Sequence, residues 1–121
     1  MEKFTFKKPE RLSREKLIQE LFHKGSSFYL FPFKVIFLPG KDAASQVLVA
    51  VPKSVFKRAV DRNKIKRRIR EGYRLNRHKL PEDQIFSIAY IYTAKEILSS
   101  PLIHQKIILS FAKIASHKHE G

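Results

Sequence analysis

At 121 residues the chain can build one domain around a single modest core, and its 43% hydrophobic content excludes a disordered basic tail as the whole molecule. It holds no cysteine, which excludes a disulfide framework and a thiolate zinc site. Its formal net charge of +14 points to polyanionic partners.

The first residues, MEKFTFKKPER, lack the apolar run of a secretory signal. The segment to about residue 10 is expected as an extended basic arm, with Pro9 discouraging a helix before it. Ser13 then has the chemistry of an N-cap, with Leu12 and Leu17 as a hydrophobic staple and Glu15 near the positive end of the dipole. Leu17, Ile18, Leu21 and Phe22 recur at helical spacing, which puts Phe22 on the apolar stripe, and Gly25 is a natural stop. The stretch Phe28–Leu38 is the most apolar in the chain. It is broken by Pro32 and Lys34 and is far too short to span a membrane, so a soluble cytoplasmic protein is expected.

Phe33–Leu38 and Gln46–Val51 read as strands. Pro39-Gly40-Lys41-Asp42 between them reads as a turn, which predicts an antiparallel pair. In the second strand Val47, Val49 and Val51 face one way, Leu48 and Ala50 the other, as in a strand covered on both faces.

The fourteen residues Lys57–Arg70 (KRAVDRNKIKRRIR) carry eight Lys or Arg and one carboxylate. Widening the window to Lys53–Lys79 collects +10 of the whole charge in under a quarter of the length. The spacing predicts a helix with Ala59, Ile65, Ile69 and Tyr73 on its apolar stripe. Lys57, Lys64, Arg67, Arg68 and Arg74 fall toward the opposite side. Arg62 projects into the apolar sector and must snorkel or find a partner. Pro81 closes the segment.

Gln84–Tyr92 alternates as another strand covered on two faces. Thr93 and Glu96 suggest a capping box for one helical turn. Ser100-Pro101 opens a last helix with Ile107, Ile108, Phe111, Ile114 and Ala115 inward, and residues 117–121 are expected to fray. The residues alone thus give the order α-β-β-α-β-α, an α+β sandwich in a single domain over 1–121.

No catalytic constellation accompanies this pattern. The histidines (23, 78, 104, 117 and 119) are scattered, Asp61 and Glu71 are expected to pair locally with basic neighbours, and no serine sits in a nucleophile elbow. The basic helix instead suits nucleic acid, because a merely solvated helix would carry uncompensated repulsion at i,i+4. Phe4, Phe6, Phe22, Phe28, Tyr29, Phe31 and Phe33 lie near basic residues. Rings of that kind stack unpaired bases, which favours RNA over DNA, although at least half of them must serve the core.

At Ala59–Glu71 (AVDRNKIKRRIRE) the chain resembles the protein component of bacterial ribonuclease P. That family carries an Arg-Asn-Arg signature followed by hydrophobic-Lys-Arg and a further Arg, matched here by Arg62, Asn63, Ile65, Lys66, Arg67 and Arg70. Lys8–Leu12, Phe22–Gly25 and Val49–Lys53 match the family's flanking patterns. The resemblance implies a small, mainly antiparallel four-stranded sheet in the order α-β-β-β-α-β-α, with a β-α-β crossover that is left-handed in the family.

The resemblance also implies a function. A catalytic RNA subunit would remove the 5′ leader from precursor tRNA with Mg²⁺ held in the RNA–protein complex, the protein binding no cofactor alone and supplying no catalytic residue. One monomeric copy would serve each RNA, away from any membrane. The RNA-binding helix would use Lys57, Arg58, Arg62, Asn63, Lys64, Lys66, Arg67, Arg68, Arg70 and Arg74. Ile18, Phe22, Phe33, Ile36 and Lys53 would form the leader cleft, and Lys7, Lys8 and Arg11 an accessory arm. Four positions depart from the family pattern: Lys64 replaces the second Arg of the signature, Ser54 stands where a second Lys is usual, and Ile18 and Ile36 stand where aromatics are common. A ribosomal-type structural RNA binder is the alternative, and a DNA-binding module the third reading.

Overall fold

A computed structural model describes residues 16, 18–39, 46–80 and 85–117. The described helical residues 18–24 form α1, which leads into strands β1 (Ser26–Leu30), β2 (Phe33–Pro39) and β3 (Gln46–Ala50). Helix α2 (Ala59–Asn76) follows and ends in a 3₁₀ turn, Arg77–Lys79. Strand β4 (Phe86–Tyr92) and helix α3 (Ser100–His117) complete the α+β fold. The N-terminal arm, the Ser13 cap with Leu12, Glu15 and Leu17, the Pro39–Asp42 turn beyond Pro39, Pro81 and residues 118–121 lie outside the described residues.

The sheet order is β1-β2-β4-β3. β2 pairs antiparallel with both β1 and β4, while β3 pairs parallel with β4. The sequence-predicted hairpin between β2 and β3 is therefore overturned, since β4 lies between them. The physical reason is burial. β4 is covered on both faces almost throughout, and such a strand gains most at the centre of the sheet. β3 is left at an edge with half-buried residues, rather than fully covered as expected. A two-residue connection, Phe31–Pro32 with a cis peptide bond, joins β1 to β2. The strand reading that began at Phe33 missed β1, because Pro32 interrupts what proves to be two strands of one hairpin.

Phe33, Val35 and Phe37 of β2 and Phe86, Ile88, Tyr90 and Tyr92 of β4 share the main core with α2 and α3. The α2 stripe consists of Ile65, Ile69, Gly72 and Tyr73, whereas Ala59 is exposed. From α3 come Ile103, Ile107, Phe111 and Ile114, all within 2% of full burial; Ile108 and Ala115 are only partly buried. Ser110 is buried among them, its hydroxyl donating to the Ile107 carbonyl and lying 2.7 Å from the Tyr90 hydroxyl. Burial pushes the Tyr90 phenol well above its ordinary pKa, so this pair stays neutral. His117 belongs to α3 rather than to a frayed tail.

The predicted helical turn at Thr93–Glu96 does not form. The Thr93 hydroxyl donates to the Pro32 carbonyl at 2.9 Å instead of capping its own segment. The Tyr92 hydroxyl donates to the Glu96 carbonyl at 2.6 Å and accepts from the Leu98 amide at 3.1 Å, so the loop wraps this phenol. A tertiary acceptor has outcompeted the local cap.

On the opposite sheet face, Leu21 of α1 packs on Ile36 and Ala89. Gly25 ends α1 through an amide bond to the Leu21 carbonyl at 3.0 Å, with no left-handed backbone. Its role is close approach. A Cβ there would sit 2.6 Å from the Leu21 oxygen and 2.9 Å from Ile36 Cγ2. Gly25→Ala is expected to destabilise the protein by about 1–3 kcal/mol, because backbone must shift to admit the methyl. Urea unfolding of the two proteins measures this, and equal midpoints would show that α1 is loosely seated.

A candidate RNA interface on two sides of one sheet

The main core holds α2 by its apolar stripe, which leaves Asn63, Arg67, Arg70 and Arg74 in an exposed line along the outer side at helical spacing. Lys57 and Arg58 are exposed at its start; Lys64, Lys66 and Arg68 are partly buried on its flanks. The N-terminal turn has no side-chain cap hydrogen bond, and Asp61 in that turn offsets part of the positive end of the helix dipole. Asp61 and Glu71 make no ion pair with any described residue, contrary to the expected local pairing. The outward cations are therefore not tied up in ion pairs with the described carboxylates of the helix.

Two predicted RNA contacts are committed internally. Arg62 Nη1 donates to the Phe56 carbonyl at 2.8 Å and to the Lys57 carbonyl at 3.0 Å. This resolves its position in the apolar sector: the guanidinium ties the β3–α2 connection to the helix. Phe56 is buried against Tyr92, with ring centroids 5.9 Å apart, so the tie also seats a core ring. Arg68 Nη1 donates to the Leu98 carbonyl at 2.6 Å and anchors the loop before α3. Each guanidinium keeps further N–H donors that the described bonds do not occupy.

On the other face, α1 and the sheet enclose an apolar groove of about 160 Å³. Ile18, Leu21 and Phe22 form its helical wall; Leu48 and Ala50 of β3 and Ala89 and Ile91 of β4 lie along its floor. Phe22 is 62% exposed, so it stands at the rim rather than on the buried stripe, where Leu21 is the buried apolar residue among the described residues of α1. Lys53 is exposed in the turn after β3, on the connection that Arg62 braces.

Of the five predicted cleft residues, Ile18 and Phe22 meet in the groove. Ile36 lies beneath α1, buried with Leu21 and Ala89. Phe33 does not belong there: it is fully buried on the opposite sheet face, against Tyr90 and Tyr92. Strand alternation decides this, since Phe33 and Ile36 are three residues apart and so point to opposite faces. Phe28 also turns to the core side, under the Lys113 ammonium 5.6 Å from its ring centroid. The groove residues missed from sequence are Leu21, Leu48, Val49, Ala50, Ala89, Tyr90 and Ile91. Alternation had put Leu48 with Ala50 and Ala89 with Ile91, but nothing local says that β3 and β4 are neighbours. Lys7, Lys8 and Arg11 lie outside the described residues.

Among the described residues no three His, Asp or Glu side chains converge to hold a metal ion, and no helix is long and apolar enough to cross a membrane. A small α+β domain with a cationic helix on one sheet face and an apolar, aromatic-rimmed groove on the other is a nucleic-acid-binding module. Comparison with known proteins specifies which one. A family model described as Ribonuclease P matches residues 6–114. The chain is 35% identical to the ribonuclease P protein component of Porphyromonas gingivalis, over 94% of this chain and 89% of that protein. It is 40% identical to the component from Petrotoga mobilis over 67% and 68% of the two chains. The RNase P protein from Thermotoga maritima superposes with a TM-score of 0.70 at 26% identity, covering 84% of this chain and 93% of that one. The Staphylococcus aureus RNase P protein gives a TM-score of 0.65 at 26% identity, covering 81% and 87%.

The chain belongs to the ribonuclease P protein family. It is the protein subunit of a ribonucleoprotein endoribonuclease and assists the RNA in 5′ maturation of tRNA.

Arg62 and Arg67 should separate cleanly in mutagenesis. Arg62→Ala is expected to cost about 1–3 kcal/mol of stability through the two carbonyls it leaves without their charged donor. Arg67→Ala, on the exposed line, should stay within about 0.5 kcal/mol of wild type and flatten the salt dependence of RNA binding by about one phosphate contact. Urea titration and binding at a series of salt concentrations read the two effects, and swapped outcomes would reverse the assignment.

Proposed function

We propose that the exposed line of α2 docks on the ribonuclease P RNA while the groove between α1 and the sheet receives the single-stranded 5′ leader of precursor tRNA. One copy of the protein serves each RNA. The supporting observation is the division of labour across one sheet. The cations of α2 lie on the layer packed against one face, the groove opens on the other, and the β3–α2 connection carrying Lys53 links them. Such a body can touch two RNA segments at once.

The physics of each side suits its partner. Lys and Arg that neutralise Z phosphates release counterions, so log affinity falls with log salt at a slope of about −0.7 to −0.9 times Z. An apolar floor with Phe22 at the rim takes unpaired bases by stacking and desolvation, a mode indifferent to base identity. Lys53 would meet the leader backbone at the groove mouth. Ile18 supplies apolar area in place of a stacking ring, so Phe22 carries the aromatic part of the contact.

Hydrolysis is assigned to the RNA. The Mg²⁺ of the complex would be held chiefly by RNA phosphates. The protein contributes by reducing repulsion between two polyanions and by adding contacts that only the precursor can make. A contact set worth about 3 kcal/mol would favour precursor over mature tRNA roughly 150-fold. A cytoplasmic location is part of the same proposal, since precursor tRNA is a cytoplasmic substrate in bacteria.

The test compares precursor and mature tRNA affinities of the particle reconstituted with wild-type protein, Phe22→Ala and Arg67→Ala. Phe22→Ala should lose about 1–3 kcal/mol of precursor binding and leave mature tRNA unaffected. Arg67→Ala should weaken assembly with the RNA. Identical discrimination in all three particles would remove the leader role.

A further inference from the structure

The row of side chains that floors the groove continues beyond it. On the α1 side of the sheet Ala50 pairs with Ile91, Ile91 with Lys34, and Lys34 with Tyr29. Ala50 and Ile91 belong to the groove. Lys34 and Tyr29 carry the same row to the β1 edge, about 15 Å from Ala50 at the usual strand spacing.

Neither residue belongs to the buried core. Tyr29 is 60% exposed, and Phe31 beside it in the hairpin turn is 47% exposed. Lys34 is exposed and makes no ion pair with a described residue. Yet the Tyr29 ring is held in place. Its hydroxyl oxygen lies 3.2 Å from Thr93 Oγ1, and Thr93 commits its own proton to the Pro32 carbonyl. Tyr29 is therefore the donor to Thr93, and the ring reaches across the start of β2 to do so. Tethering an exposed ring costs rotamer freedom and buries little area in return. What the tether yields is a fixed aromatic face beside an unpaired ammonium.

One nucleotide of single-stranded RNA has the two matching parts, a base to stack and a phosphate to pair. We propose that Tyr29 and Lys34, with Phe31 at the margin, form a second station for the leader, taking nucleotides upstream of those in the groove. This rests on the leader reading of the groove and adds a determinant of how much leader is recognised. The continuity of the row argues for the same strand of RNA, since Lys34 is the cross-strand neighbour of Ile91 on the groove floor.

The experiment measures binding of precursor tRNAs with leaders of increasing length to the holoenzyme reconstituted with its cognate RNA. Wild-type affinity is expected to rise with leader length in two stages. Tyr29→Ala and Lys34→Ala should keep the first stage and lose the second, binding long-leader substrates about fivefold or more weakly and short-leader substrates equally well. Tyr29→Phe, which keeps the ring without the tether, should retain most of the second stage. Lys34→Ala should also reduce the salt slope by about 0.7 for long leaders alone. A wild-type length profile in both alanine variants overturns the second station and leaves the groove reading standing. Wild-type protein indifferent to any leader overturns both.

Discussion

The packing of the α2 apolar stripe onto the β2–β4 face is the contact on which the rest of the molecule depends. Ile65 and Ile69 are fully buried and Tyr73 nearly so, each contributing about 1.5–3 kcal/mol on burial. Against this stands repulsion within the helix. Same-sign pairs such as Arg58 and Arg62, Lys64 and Arg68, Lys66 and Arg70, and Arg70 and Arg74 cost about 0.2–0.5 kcal/mol each, on the order of 2 kcal/mol together. Burial wins by a clear margin. The helix can therefore carry a field that would unsettle it in isolation, and it holds that field at a fixed orientation.

The same contact explains why two of the basic residues are structural. A long cationic helix lying on a sheet needs its register fixed, and here two ties in its first ten residues do so. Arg62 does this at the β3–α2 connection and Arg68 at the loop before α3, each through backbone carbonyls. Carbonyls suit the purpose because they accept without bringing a negative charge that would dull the surface potential. Tyr92 completes the arrangement by gathering the loop that Arg68 anchors.

The sheet separates a cationic surface from an apolar groove, which suits the two kinds of RNA contact proposed for them. Phosphate binding needs charge in high dielectric, where it acts at range and yields to salt. Base binding needs an apolar floor and exposed rings. The alternation of β2 and β4 sends large aromatics to the α2–α3 side and small or aliphatic residues (Ile36, Ala89, Ile91) to the α1 side. The small side chains there leave the space that the groove occupies.

The chain by itself determined much of this. The density of cations at Lys57–Arg70, the helical spacing of Ile65, Ile69 and Tyr73, the alternation of β4 and the start of α3 are local patterns, and local periodicity survives folding unchanged. The motif around Arg62–Arg70 likewise pointed to the family that the comparisons establish. Tertiary structure decided what depends on partners distant in sequence. The insertion of β4 between β2 and β3 defeated a sound turn signal, and it alone made Leu48 and Ala89 neighbours. The face of Phe33, the exposure of Phe22 and the carbonyl partners of Arg62 follow from that arrangement. A residue's spacing states which neighbours along the chain share its side; only the closed sheet and its covering helices state whether that side meets core, groove or water.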